Sequence, residues 1–589
     1  MMKVAIDFET DGIESRPDYP PVPRGVAIMP EGKPGKYVSG SLAKLEKALL
    51  PYWMNPKVEL VFHNASFDLA VATEKLGLPM PPWQRLHDTL FLAFLADPHS
   101  PSLSLKPLAE RYLGMKPDEQ TAIKDWVMAN VPAAKRSKVN WGYWIAQAPP
   151  ALLAPYAIGD VDRTLQLFTR LHQTTQVESY NRERRILGGL LENSATGIRC
   201  DLKLLSANLT MYEKALLATD TRLYRLLGGS FNVDAGDELA ERLLKSGKGA
   251  NFKLTPTGKL STAKDSLLEA VTCKQTLELL NYRGRLVTAL QTFMRPWAAT
   301  ARSNAQHRIH FDWFQTRGAE YGGARTGRLS SSPNVQNIPK TLRAGAPKGL
   351  PELPFLRKFL LPEKDHVWLR KDYSQQELRL LAHFEDDNLL RMFKENPKLD
   401  LHQAVADMFE EAGSPVGREV TKTISFGVLY GMGLAELGKR LNLSPDETRR
   451  VKAKYLELLP GIGLVNSQLK ALAKSGKQFT TWGGRKYFCE PPKMIKGKLR
   501  TFEYKMINYL IQGSSADVTK EALALLMEAE LPGRFLCTVH DEINWSVPKQ
   551  RVVATVRKIH DIMRSVKTDV PMESTSETGP NWGTLKAYG

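Results

Sequence analysis

Cysteine is scarce in this chain. There are four in 589 residues, Cys200, Cys273, Cys489 and Cys537, and no two form a CxxC pair. That argues against a zinc site or a disulfide framework and fits a reducing compartment. No apolar run approaches the roughly 20 residues that cross a bilayer, and no basic amphipathic segment stands out as a lipid anchor, so no membrane partner is expected. The N-terminus, MMKVAIDFET, runs straight into an apolar strand. It leaves no room for a signal or transit peptide, and a cytoplasmic location is expected. Internal repeats and low-complexity tracts are missing as well. Acidic residues fall short of basic ones, 63 against 81, for a formal net charge of +18. A surplus of that size suits a polyanion, with nucleic acid the first candidate. The 42% apolar content is ordinary for a globular chain, and the length calls for several domains.

Residues 3–8 (KVAIDF) and 58–62 (VELVF) have the composition of buried strands. Residues 16–36 between them are rich in Pro and Gly and read as loop. Helical patterns dominate 64–172, giving a mixed α/β unit that ends near residue 185. Residues 186–300 read as a helical arm. Residues 341–354 (TLRAGAPKGLPELP) form a breaker-rich connection, 366–372 (HVWLRKD) a strand running into a helix, 383–475 a helical region, and 535–547 a hairpin or paired strands. The fold class expected is α/β and α+β, in several domains.

One stretch carries the most chemistry. Arg418, Lys422, Phe426 and Tyr430 are each four apart, followed by Gly431, so a helix places all four on one drifting face. Two cations and two rings suit a nucleoside triphosphate: charge for phosphates, a flat surface for base and sugar. The competing reading is an amphipathic helix with two solvated cations and two core aromatics.

Two acidic constellations accompany it. Asp7 and Glu9 alternate on the first strand and project from one face. Asp68 follows the second strand in HNASFD, and Tyr156 and Asp160 are four apart in YAIGD. Four carboxylates brought together repel one another, and divalent cations relieve the conflict. An isolated Asp-x-Glu is common on solvated strand edges; three segments in this order and context are not. The set resembles the DEDDy class of 3′→5′ exonucleases, a ribonuclease H-like fold. That resemblance implies metal binding by Asp7, Glu9, Asp68 and Asp160, orientation of water by Tyr156, and a supporting contact from Asn64. Asp162 lies nearby, but spacing from Tyr156 favours Asp160. In the second constellation Asp372 ends an apolar strand, and Asp541 and Glu542 lie in the turn of VHDEIN. Singly, each could be a helix N-cap or a turn residue.

Together with DYSQQELR (372–379), TGRLSSSPNVQNIP (326–339) and NYLIQGSSAD (508–517), these segments resemble family A DNA polymerases, the bacterial DNA polymerase I group. FNVDAGDELAERLL (231–244) and KLTPTGKLSTAKDSL (253–267) resemble the family's thumb. The resemblance covers nearly the whole chain. It implies an exonuclease domain at 1–185, then a right-hand polymerase: thumb 186–300, palm 301–382, fingers 383–495, and the rest of the palm at 496–589. Asp372 and Asp541 would hold two Mg²⁺ ions, with the Tyr373 carbonyl completing coordination and Glu542 auxiliary. Two Mg²⁺ are implied at the exonuclease site as well, and Mn²⁺ as a substitute. Arg418 and Lys422 would grip the triphosphate, and Lys422 could protonate the leaving pyrophosphate. Glu377 would be the steric gate against ribose. Phe426 would discriminate against dideoxynucleotides, and Tyr430 would stack at the templating position where Gly431 pivots. Arg328, Gln512 and His540 would contact DNA near the primer terminus, Gln336 and Asn337 would contact the DNA, and Asn508 would support the template side.

The family usually carries an aliphatic residue where Gln376 stands in this nucleotide-binding group, so the packing around Glu377 does not follow from the family pattern. The layout resembles bacteriophage replicative members, without a 5′-nuclease region and without a long thumb insertion for a thioredoxin clamp. Implied partners are primer–template DNA and dNTPs, with a helicase, single-strand-binding protein or processivity factor as further candidates, and a monomer is expected. A repair polymerase, a single-subunit RNA polymerase and a nuclease with an inactive polymerase fold are the alternatives. Glu377 and the exonuclease segment argue against the RNA polymerase, and competent residues at every polymerase position against the last.

Overall fold

Residues 1–136, 141–316, 324–340, 345–495 and 497–588 are described by a computed structural model. Its first strand, β1 (Met2–Thr10), buries Val4, Ala5 and Ile6 and carries Asp7 and Glu9 toward its end. β2 (Pro23–Pro30) pairs antiparallel with β1, and β3 (Lys36–Ser39) antiparallel with β2; β4 (Val58–Phe62) lies parallel to β1 and β5 (Leu86–Asp88) parallel to β4. The order is β3-β2-β1-β4-β5. β2 corrects the expectation of loop over 16–36. Its two prolines sit at the strand ends, where no ladder bond is lost, and Val26, Ala27 and Ile28 between them are fully buried. Helices α1 (Ala65–Ala70), α2 (Leu105–Leu113) and α3 (Pro150–His172) complete the frame that holds the acidic residues; α3 packs on β1 and β2.

α4 (Val177–Thr196) joins the two halves. Its Tyr180 and Leu187 belong to the N-terminal core, and its Ile186 and Leu190 to the C-terminal one. Residue 185, the expected boundary, therefore falls inside a helix shared by both cores. Beyond it, α5 (Leu202–Leu227) and α6 (Lys274–Thr288) enclose a small separate core with Phe231, Val233, Leu239 and Leu243.

A second sheet runs β7-β8-β6-β9-β10, all antiparallel: β6 (His366–Tyr373), β7 (Arg534–Val539), β8 (Glu542–Pro548), β9 (Ser574–Gly579) and β10 (Lys586–Ala587). β7 and β8 form the expected hairpin, turned at His540 and Asp541. Helix α7 (Gln376–Glu385) follows β6. α8 (Leu401–Glu411) and α9 (Arg418–Leu429) lie in the helical region beyond, and α10 (Met506–Glu528) runs back to β7. The first four residues of the connection expected at 341–354 lie outside the described residues. No described helix is long and apolar enough to cross a membrane.

Candidate active sites

The N-terminal centre is built on strand alternation. Asp7 and Glu9 share a face of β1, Asp68 comes from α1, and Asp160 from α3. Glu9, Asp68 and Asp160 are at most 6% exposed. The Phe8 backbone N–H donates to Asp68 Oδ1 at 3.0 Å, locking α1 against β1. Burial pushes the Asp7 carboxyl up to about 7, and Asp160 adds to the rise. Burial, then Asp7 and Asp160, raise Glu9 well above its ordinary range; burial and then Asp7 do the same to Asp68. These mutual effects show that the four carboxylates converge. The Tyr156 phenol is raised by burial, then by Asp160, Glu9 and Asp7, so it stays a proton donor. Asp162 instead accepts from Gln166. Asn64 opens α1, with its backbone N–H on Asp88 and its side-chain oxygen accepting from Ser66. Asp88 also accepts from Ala65 and Leu90 and so anchors the segment that carries Asp68.

One cation at this centre was not expected. Lys106, on α2, donates to Asp160 Oδ2 at 2.7 Å, and its Nζ lies 4.0 Å from the centre of the Tyr156 ring. Nothing in SLKPLAERYL distinguishes this lysine from a solvated one; only the packing of α2 on α3 brings it in.

The C-terminal centre uses the hairpin. Asp372 stays in β6, three residues before Gln375, so it does not cap the following helix. Asp541 sits in the β7–β8 turn, where its carbonyl accepts from the Tyr373 N–H at 3.3 Å. Burial pushes Asp541 up to about 7; Asp372 and Glu377 add to the rise and Arg328 opposes it. Lys340 donates to Asp372 Oδ2 at 2.7 Å. Glu377 accepts from Arg328 Nη2 at 2.5 Å and from the Tyr430 hydroxyl at 2.9 Å. Arg328, Glu377, Tyr430 and the two aspartates thus meet in one place. His540, at φ 60° in the turn, is pulled down to about 4 by burial and then by Arg328, so its ring is neutral near pH 7.

Other expected residues stand differently. Glu542 is buried, and its Oε1 accepts from Arg357 at 3.3 Å, Asn544 Nδ2 at 2.9 Å and Trp582 Nε1 at 2.9 Å, while Arg357 lies 3.5 Å from its Oε2. These bonds tie it into the β7–β8 hairpin. Gln376 is 1% exposed. Its amide bonds Thr519 at 3.0 Å and the Ser515 hydroxyl, both on α10, so its side chain is taken up in packing against α10 rather than open to a ligand. A polar residue is tolerated there because both amide ends are satisfied. Gln336 is held by Ser331 and the Thr538 carbonyl. Asn337 lines a cleft of about 680 Å³ between α6 and the segment 353–356. Asn508 and Gln512 lie one turn apart on α10, and the Asn508 side-chain oxygen is buried with no hydrogen-bond partner.

On α9, Arg418 donates to Asp400 at 2.8 Å and to Glu419 at 2.9 Å, and Lys422 lies 3.8 Å from Glu419. Phe426 stacks on Tyr430, centroids 5.8 Å apart and 20° between planes, and its ring also meets that of His402, tilted by 51°. Tyr430 caps the helix and is 37% exposed, which rules out the core-aromatic reading for it. Gly431, at φ 63°, has the Tyr504 carbonyl where a Cβ would stand. His402 is a neighbour of this face that sequence spacing did not single out.

As the side chains stand, no three His, Cys, Asp or Glu groups among the described residues are arranged to hold a metal ion. The expected ligand sets of Asp7, Glu9, Asp68 and Asp160 and of Asp372, Tyr373 and Asp541 are therefore not closed; a lysine stands against each. The donors nonetheless fit a hard divalent cation. They are oxygens, carboxylates and the Tyr373 carbonyl, and at Asp7, Glu9, Asp68, Asp160 and Asp541 burial raises the carboxyl, which an added positive charge opposes.

Comparison with known proteins places this geometry. Residues 1–176 match the model of a 3′-5′ exonuclease, and residues 203–584 that of DNA polymerase family A. DNA polymerase I of Chloroflexus aurantiacus is 29% identical over 568 residues, which cover 91% of this chain and 56% of that protein. Thermostable DNA polymerase I of Thermus aquaticus is 30% identical, covering 88% and 57%; that of Thermus thermophilus is 32% identical, covering 67% and 47%. The chain thus spans about half the length of these relatives. The fold is similar to the POL domain of Pol1 from M. smegmatis in complex with DNA primer-template and dNTP, with TM-score 0.77, 22% identity and coverage of 99% and 95%. The chain belongs to DNA polymerase family A.

Proposed function

We propose that the protein extends a DNA primer on a template from dNTPs and removes 3′-terminal nucleotides at a second centre. The observation that carries this reading is the pair of separate acidic centres, one beside the Glu377, Arg328 and Tyr430 cluster and one beside Tyr156. Asp372 and Asp541, with the Tyr373 carbonyl, are the groups for magnesium or manganese in the first; Asp7, Glu9, Asp68 and Asp160 are those in the second. When bound, such ions supply Lewis-acid charge neutralisation at the reacting phosphate.

The chain's own groups do the rest. Arg418 and Lys422 leave their acidic neighbours for the triphosphate, and Lys422 gives a proton to the departing pyrophosphate, which arginine does poorly. Phe426 supports the base and sugar. Glu377, held from two sides, presents a fixed wall where a ribose 2′-hydroxyl would stand. Arg328, Gln512 and Asn337 meet minor-groove acceptors, which are alike in all correct pairs, and so test geometry without reading sequence. At the exonuclease centre the protonated Tyr156 orients the attacking water.

Phage-type genome replication and gap filling are the two roles to separate. The reading is tested by primer extension with dNTPs, the same with rNTPs, and degradation of a labelled single strand. Extension confined to dNTPs together with 3′ degradation supports it. Efficient rNTP use favours an RNA polymerase; degradation without extension favours an inactive polymerase fold. Distance synthesised per binding event, measured with a DNA trap, separates gap filling from replication.

A further inference from the structure

The sheet face that carries the N-terminal carboxylates receives one long side chain from β3. Asp7 on β1 lies opposite Ala27 on β2, and Ala27 opposite Tyr37 on β3. Glu9 likewise lies opposite Gly25, and Gly25 opposite Ser39. Residues paired across an antiparallel ladder project to one face, so Tyr37 shares the face of Asp7 and Glu9. Neighbouring strands lie ~4.8 Å apart, and only a long side chain on β3 can cross β2. Ala27 and Gly25 leave its path open. A Cβ at Gly25 would meet the Tyr37 hydroxyl oxygen and ring. The hydroxyl therefore stands over the strand neighbour of Glu9. The ring packs against the cluster that includes Ala157 and Val161 of α3, and with Tyr156 against the cluster of Ile145 and Leu153.

Two unmet hydrogen-bonding needs adjoin here. The Tyr37 hydroxyl oxygen is buried and has no partner among the described residues. Such an oxygen costs stability, and a phenylalanine would avoid the cost. Of the four carboxylates, Asp68 accepts from the Phe8 N–H and Asp160 from Lys106. Glu9 accepts no hydrogen bond among the described residues, although it is buried. Burial, then Glu9 and then Asp7, push the Tyr37 phenol up to about 12. Its proton stays on the oxygen at neutral pH, and of the two carboxylates Glu9 acts on it more strongly. Carboxylates that hold a metal are as a rule hydrogen-bonded in turn, and those bonds fix their orientation.

We infer that Tyr37 is a positioning residue of the exonuclease centre, its hydroxyl donating to the Glu9 carboxylate and fixing its orientation toward a divalent ion. This rests on the exonuclease reading above. Two phenols then serve one sheet face in different ways: Tyr156 orients the attacking water, and Tyr37 acts only through Glu9. The small residues at 25 and 27 belong to the arrangement, because a side chain at either would bar the phenol from crossing β2. A tyrosine that merely filled the space over β2 would explain the ring. It would leave the buried oxygen without a purpose.

The test uses the full-length protein and Tyr37→Phe, which removes one oxygen and keeps the ring. In chelator the variant's melting temperature should rise, because an unpartnered buried hydroxyl is gone. At saturating magnesium, kcat for degrading a labelled single strand should fall about tenfold, with KM for the strand within about twofold of wild type. Manganese affinity at the site that Asp7→Ala abolishes, read by electron paramagnetic resonance, should weaken about tenfold. Gain of stability with loss of function is a combination that a packing role would not produce. If the unmodified protein degrades no single strand, the exonuclease reading itself fails. With the wild type active, an unchanged kcat or an unchanged manganese affinity in Tyr37→Phe overturns the inference alone. A raised KM at unchanged kcat does so as well, since it would put the hydroxyl on the strand instead of on Glu9. So does a melting temperature that falls in chelator, which would give the hydroxyl a structural partner.

Discussion

The two acidic centres solve the same electrostatic problem differently. At the N-terminal one, four carboxylates from β1, α1 and α3 are packed into a closed frame, Glu9, Asp68 and Asp160 almost wholly buried and Asp7 partly so, and Lys106 is sealed in with them: its side chain is 14% exposed. At the C-terminal one, two aspartates stand on neighbouring strand ends, and the cation against them, Lys340, is 52% exposed. Its remaining groups arrive from distant segments, Arg328, Glu377 and Tyr430, and meet through single hydrogen bonds. A closed centre keeps its geometry without substrate. An open one leaves room for a nucleotide and for a helix that moves, and completes itself on binding.

The largest test of this division is a crossed pair. Asp541→Ala should lower primer extension by at least ~10²–10³-fold and leave degradation of a single strand unchanged; Asp7→Ala should do the reverse. Rates of both reactions on one labelled primer provide the readout. A folded variant that loses both activities would mean that the centres are not separate.

Gly431→Ala asks whether the open centre depends on its pivot. A left-handed residue other than glycine costs roughly 1–2 kcal/mol, and here the added Cβ also meets the Tyr504 carbonyl. The expected result is a lower melting temperature and a reduced kcat for extension, with exonuclease rates unaffected. If kcat for extension holds, α9 does not need this turn to work.

These contrasts decide how much could be read from sequence. β1 and β4 were legible because uninterrupted apolar runs have few alternatives. Asp7, Glu9, Asp68, Tyr156 and Asp160 were legible because each motif keeps its residues on one element with a fixed period. β2 was hidden by prolines that mark its ends. Glu542 and Gln376 could be found but not assigned: a carboxylate beside Asp541 looks available until Arg357, Asn544 and Trp582 are seen around it, and only α10 shows where the Gln376 amide goes. Lys106 and Lys340 carry no sequence signal, since their roles come from long-range packing.

Stability against pH should reveal the charge shortage at both centres. Asp7 and Asp541 titrate near 7 in the folded protein against an ordinary 3.8. Below about pH 4 both states are protonated and neither group matters. As pH rises toward 7 the unfolded chain releases these protons while the folded one keeps them, so each group costs stability, at about 1.4 kcal/mol per unit of difference. In chelator, the wild-type melting temperature should fall relative to Asp7→Asn and Asp541→Asn between about pH 4 and 7, and magnesium should restore it at pH 8. A wild-type curve parallel to both variants would show that neither carboxyl is strained.

The smallest effect separates the two lysines. Lys106 opposes the rise of Asp7, Glu9 and Asp160. Lys106→Ala should therefore push those carboxyls higher and move the exonuclease pH profile to the alkaline side by about one unit, with Lys106→Arg moving it back. Lys340 reaches Asp372 from a half-exposed position, where an ion pair is worth only ~0–1 kcal/mol. Lys340→Ala should shift the extension profile by less than about half a unit. Equal shifts at both centres would remove the contrast between closed and open. An exonuclease profile that stays in place would mean that Lys106 balances charge only in the absence of a divalent ion, because a bound cation has taken over its electrostatic role before the chemistry begins.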